Sequence, residues 1–315
     1  MMPKTMRRPA LVLVHESEAA CRQRLAAAGF AEPHVSEITS YLAQSTDMEP
    51  EFAALERACM ERGVTFRPVA LDDAPAVFPD CDPATTLVWT LTDGIAYFRG
   101  GAAPALARLY GLQTMGADDS VFALCQDKFR AGSVMRALGR RIHARYRDDA
   151  IVQPYVGGRN VRASFLAVEP QAGMERLGIC FVDSGADFQT MADSMALYGD
   201  TGTRARDEGS RSEPRLDAVA GMQPRADRAI RAVAARLVGG LGLADVFSMD
   251  LRVEADDTVH LIEFDVCPGV PCFDFRAYCR ESWNMGLAEA MAAAASNRLI
   301  RAPSLRAGEA HGRMP

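Results

Sequence analysis

The chain has 315 residues, 49% of them hydrophobic, and a formal net charge of −6, enough length for a sizeable core shared by two or three subdomains. The acidic balance and the lack of an aromatic-interleaved basic patch argue against a nucleic-acid partner, and no apolar run reaches the length of a membrane span. Basic residues precede a short apolar run in MMPKTMRRPALVLV, but HESEAACRQR follows at once without a secretory cleavage pattern, so a cytoplasmic location is expected.

In chain order, PALVLVH (9–15) reads as a first strand, followed by a helix through SEAACRQRLAAAGF and a second through MEPEFAALERACMERG. VTFRPVAL and TTLVWTLTDG (85–94) supply further strands, and GIAYFRGGAAPALARLYGL runs into a helix. Strands alternating with helices predict a parallel, doubly wound N-terminal layer. Such sheets bind ligands beyond their carboxyl ends, which makes Thr92, Asp93 and Gly94 pocket-lining candidates or a simple turn. Residues 118–139 predict a helix with an Asp-Lys pair at its centre, and 150–158, 160–168 and RLGICFVDS predict three strands. The Gly-, Arg- and Ser-rich stretch 199–224 reads as a mobile loop carrying Arg204, Arg206 and Arg211, and 225–241 as an amphipathic helix. MGLAEAMAAAASNRLI closes the fold, and 301–315 is expected to be a disordered tail.

Two residue types narrow the chemistry. Of 35 basic residues only Lys4 and Lys128 are lysines, so a role that needs an interior ammonium falls to Lys128. The eight cysteines include no CxxC pair, so neither a zinc knuckle nor a disulfide framework is indicated. Cys267, Cys272 and Cys279 cluster late in the chain, where packing is the expected role.

The most informative stretch is VFSMDLRVEADDTVHLIEFDVCPG (246–269). It reads as a hairpin, and residues two apart on a strand share a face. Glu263 and Asp265 therefore stand side by side, with Asp250 brought near them by the pairing. Close carboxylates repel unless a positive charge lies between them, and an all-oxygen set suits a hard divalent cation. A solvated edge strand is the plain alternative.

Together these stretches resemble the ATP-grasp superfamily, most closely its D-alanine–D-alanine ligase-like branch, over roughly residues 95–295. The resemblance implies an α/β fold that becomes α+β toward the C-terminus. Its parts would be an N-terminal α/β domain (1–115), a shortened central ATP-binding subdomain (116–185), a catalytic and metal subdomain (186–300) and the tail (301–315). It implies that Lys128, Gln153, Pro154, Tyr155, Val156 and Asn160 contact ATP and that Asp250, Glu263 and Asp265 hold Mg²⁺, as one or two ions replaceable by Mn²⁺. The implied activity joins a small amino-acid-like carboxylate to an amine through an acyl phosphate, in a homodimer without nucleic-acid or membrane partners.

The sequence also departs from that pattern. Only 24 residues separate Lys128 from Gln153, with no Gly-rich phosphate loop and no second lysine, although Arg140, Arg141, Arg145 and Arg147 lie in the gap. Asn160 replaces a ribose-binding Glu, Asp265 an Asn and Ser248 an Arg, and LVLVHESEAA stands where a Gly- and Ser-rich signature is usual. Two further readings therefore remain: a non-catalytic relative that binds a nucleotide or small ligand or partners a complete ligase, and an unrelated α/β enzyme with a cysteine nucleophile.

Overall fold

A computed structural model describes residues 8–92, 101–126, 140–143, 149–152, 156–182 and 216–309. Its N-terminal half is built on strands β1 (Ala10–His15), β2 (Thr65–Ala70), β3 (Thr86–Thr90) and β4 (Gln113–Thr114), all parallel and ordered β2-β1-β3-β4. Parallel strands covered on both faces read as unbroken apolar runs. Accordingly Leu11 and Leu13 point into one core with Leu87 and Trp89, while Val12 and Val14 enter another with Val88 and Phe78. Pro68 lies in β2, an edge strand, where a missing amide hydrogen costs no ladder bond.

Helices α1 (Glu18–Ala27), α2 (Glu32–Ser45) and α3 (Phe52–Glu61) follow β1. Ser17 caps α1 by accepting a hydrogen bond from the Ala20 amide. A short α4 (Ala74–Val77), then α5 (Ala102–Leu109) and α6 (Asp119–Gln126), lead toward the second half. The rest of the predicted 118–139 helix, Lys128 included, lies outside the described residues.

Strands β5 (Arg140–His143) and β6 (Asp149–Val152) form a two-stranded antiparallel ribbon. Arg140 and Arg141, read from sequence as part of an arginine-rich gap, are thus ladder residues opposite Val152 and Ile151. The second large sheet is antiparallel, β10-β9-β7-β8, from β7 (Arg159–Leu166), β8 (Gly178–Phe181), β9 (Val246–Val253) and β10 (Val259–Asp265). One face packs Val161, Ala163, Phe165, Phe247, Met249 and Leu251 against a helix that buries Ala226, Ile230 and Ala234 at successive turns. That helix is α8 (Pro224–Leu241), preceded by the short α7 (Val219–Met222). It opens on Pro224 and ends at Gly242 with φ +67°, a left-handed cap that a residue with a Cβ resists.

Two closing helices, α9 (Phe273–Trp283) and α10 (Leu287–Glu309), join the halves. Phe275, Tyr278 and Met291 share a core with Leu11, Leu87 and Trp89 of the parallel sheet. The Tyr278 hydroxyl accepts hydrogen bonds from the Leu166 amide and from Trp283 Nε1, both at 3.0 Å, which pins α9 to the end of β7. Helix α10 runs through Glu309. The α/β class expected from the sequence is the one observed, a parallel sheet followed by an antiparallel one.

Candidate functional site

The polar face of the antiparallel sheet is set by strand alternation. In β7, Asn160, Arg162 and Ser164 point away from the apolar core, as do Ser248, Asp250 and Arg252 of β9. Asn160, a predicted ATP contact, lies opposite Arg252, and Val156 is half-buried in the turn that leads into β7. Gln153, Pro154 and Tyr155 lie outside the described residues, as do Asp93 and Gly94.

The hairpin contains one irregularity that decides its chemistry. Leu261 faces Leu251 and Glu263 faces Asp250, so Ile262 is an extra residue in β10. A regular ladder would put Glu263 opposite Met249 on the apolar face; the bulge returns it to the polar one. Cross-strand pairing then aligns Cys180, Arg162, Asp250 and Glu263 in one row over all four strands. Asp265 lies in the next row, opposite Ser248. Its Oδ1 accepts a hydrogen bond from the Cys267 amide at 2.8 Å, folding the chain into the Cys-Pro-Gly turn.

Arg162 is the charge at the centre of this row. Its Nε lies 2.5 Å from Asp250 Oδ1 and its Nη2 donates to Asp250 Oδ2 at 3.4 Å, while Nη1 reaches Asp274 Oδ2 at 3.5 Å. Asp274 sits in the first turn of α9, where the helix dipole favours a carboxylate. Its side chain is only 2% exposed, and its Oδ1 accepts no hydrogen bond among the described residues. Neither Arg162 nor Asp274 was singled out from the sequence. The signal for Arg162 was present, because RNVRASFL alternates so as to place it on the face of Asp250.

Loss of water pushes the Asp250 carboxyl up to about 6; Arg162 opposes the shift, and the charge and hydrogen bond of Glu263 reinforce it. Two carboxylates that share a hydrogen bond hold either a proton or a cation between them. An oxygen-only donor pair on a partly open face fits a hard divalent cation. Among the described residues no three His, Cys, Asp or Glu side chains gather closely enough to hold a metal. Asp265 stands a row away, and Arg162 covers both oxygens of Asp250.

The nearby thiols are poorly suited to nucleophilic work. Burial pushes Cys180 and Cys279 up to about 12, and Cys272 is raised still further, so each stays protonated near neutrality. Cys267 is buried and donates to the Thr90 carbonyl at 3.5 Å.

A second polar locus lies beyond the carboxyl end of the parallel sheet. Glu16, 5% exposed, ion-pairs with Arg24, and Thr92 donates to Glu16 Oε2 at 3.3 Å. Beside it an open cleft of about 390 Å³ is lined by Ser17, Glu18, Arg22, Asp47 and Glu49.

No known family profile matches the sequence, and no curated protein does. Solved structures do match. A D-alanine–D-alanine ligase of Bacillus anthracis, solved in complex with ATP, superposes with a TM-score of 0.54 at 10% identity, over 96% of this chain and 99% of that one. An L-amino acid ligase of Bacillus licheniformis gives 0.54 at 13% identity, over 92% and 75% of the two chains. The VanG D-Ala:D-Ser ligase of Enterococcus faecalis gives 0.52 at 11%, over 93% and 99%. The chain therefore shares the fold of these ligases, the fold that the ATP-grasp resemblance led one to expect.

Proposed function

We propose that this protein is an ATP- and Mg²⁺-dependent carboxylate–amine ligase that activates a small amino-acid-like acid as an acyl phosphate. The observation that carries the reading is the Arg162–Asp250–Glu263 row on the polar face of a sheet in this fold. The ligases that share the fold include one solved with ATP and others named for D-alanine, D-serine and L-amino acids, which supports a nucleotide and a small carboxylate as ligands.

In this reading Asp250 and Glu263 would be the Mg²⁺ ligands, and Asp265, a row away, would join them only through a shift of the hairpin. The bound ion supplies charge neutralisation for the ATP phosphates. The rest belongs to the chain. Arg162 keeps Asp250 ionised against the desolvation that would protonate it, and the bulge at Ile262 holds Glu263 on the reacting face. Tyr278 and Trp283 fix α9, and with it Asp274, against the end of β7. Lys128, Gln153, Pro154, Tyr155, Val156 and Asn160 are proposed to line the nucleotide pocket. Phosphoryl transfer needs little from a protein beyond such placement and electrostatics.

Phosphate release from Mg²⁺-ATP, screened over pairs of small amino acids and amines, tests this reading. Release that requires both an acid and an amine, and that falls at least about 100-fold in Glu263→Gln, is the expected result. A second reading, a nucleotide- or ligand-binding relative without catalysis, is favoured by the 24-residue gap between Lys128 and Gln153. ATP binding without release for any pair would select it.

A further inference from the structure

In the Arg162–Asp250–Glu263 row, a guanidinium and a metal ion would compete for one carboxylate. A divalent cation at Asp250 needs at least one carboxylate oxygen, yet both face the Arg162 guanidinium, at 2.5 and 3.4 Å. Each carboxylate oxygen keeps a second lone pair, but a divalent cation there would face the Arg162 charge across the same carboxylate, so loading the site favours Arg162 giving up contacts.

The structure contains a place for it to go. Asp274 Oδ2 lies 3.5 Å from Arg162 Nη1, longer than a good charge-assisted hydrogen bond. Its Oδ1 is buried and accepts no hydrogen bond among the described residues, a condition protein interiors rarely tolerate. Both carboxylates are already within reach of one guanidinium, so the transfer is a reorientation of the side-chain tip. A planar five-donor group can take both oxygens of a carboxylate at once.

We propose, resting on the ligase reading, that Arg162 is a resident counter-ion that yields Asp250 to the metal and docks on Asp274, which makes Asp274 a positioning residue for the guanidinium of the loaded site. In the empty state the protein's own cation then offsets part of the carboxylate charge. Metal entry is coupled to release of an arginine on the reacting face.

Calorimetric titration of Mn²⁺ into the nucleotide-free protein tests this without reference to turnover. Arg162→Gln removes the competitor and is expected to tighten Mn²⁺ binding at least tenfold. Asp274→Asn removes the docking place and is expected to weaken binding at least tenfold when Arg162 is present, but less than threefold in the Arg162→Gln background. A purely electrostatic or structural role for Asp274 gives equal losses in both backgrounds, and that result overturns the proposal. So does unchanged or weaker binding in Arg162→Gln. If that variant does not fold, Arg162→Lys serves: an ammonium cannot span both oxygens of Asp250, so tighter Mn²⁺ binding than wild type is expected, and equal or weaker binding is the overturning result. Equal binding by wild type and Arg162→Gln rejects the counter-ion exchange and leaves the ligase reading in place. Mn²⁺ binding by none of the folded variants rejects both.

Discussion

Gly158 and His15 show how single residues are committed by their surroundings. Gly158 sits at φ +96°, and a Cβ there would lie 2.3 Å from the Val253 carbonyl oxygen. Gly158→Ala therefore combines backbone strain with a collision against a strand that cannot move aside. It should cost about 2–3 kcal/mol, seen as a melting temperature lowered by at least about 4 °C; an unchanged melting temperature would show that the turn relaxes. His15 is buried edge-on against Phe52, and burial lowers its pKa from 6.5, with Asp47 opposing. A base whose folded pKa is depressed stabilises the fold fully above its unfolded value and loses that contribution as pH falls toward the folded one. Thermal unfolding on either side of pH 6.5 should show wild type losing more stability on acidification than His15→Gln. Parallel losses in the two proteins would mean that His15 does not titrate across that range.

At the scale of elements, β10 shows where sequence reasoning succeeds and where it stops. The alternation of Glu263, Phe264 and Asp265 is legible, and so is the acidic turn that makes the hairpin. The adjacent Leu261 and Ile262 break the period, and nothing in the sequence says that the break is absorbed by a bulge rather than by a slip of the whole strand. That bulge settles which carboxylate faces Asp250, and so Asp265 lands beside Ser248 instead. Deleting Ile262 should leave a regular ladder with Glu263 still opposite Asp250. Retention of cooperative unfolding and of Mn²⁺ binding is the expected result; loss of binding in a folded deletion variant would show that the bulge sets more than strand phase. Arg162 was legible in the same limited way. Its face follows from RNVRASFL, but its partner follows from a strand register spanning 88 residues of chain, which no local pattern encodes. Asp274 was not legible, because its role depends on how α9 docks, and that is set by Tyr278 and Trp283. Helix α2 was likewise passed over, since EPHVSEITSYLAQS mixes β-branched and polar residues with weak helical propensity.

For the whole molecule, the fold followed from a few stretches read together: an apolar parallel-strand pattern, an Asp-Lys helix and an acidic hairpin. The cores bear out why. One apolar cluster joins the parallel sheet to α9 and α10, another lies under the antiparallel sheet, and the polar face between charged strands is left for chemistry. In the proposed function, nucleotide binding depends on the metal that Asp250 and Glu263 would hold on that face. Calorimetric titration of ATP with and without Mg²⁺ into wild type and an Asp250→Asn, Glu263→Gln double variant tests this most directly. Mg²⁺-dependent binding to wild type that is lost in the folded double variant is the expected result. Equal binding by both proteins, or no binding by folded wild type, would contradict it.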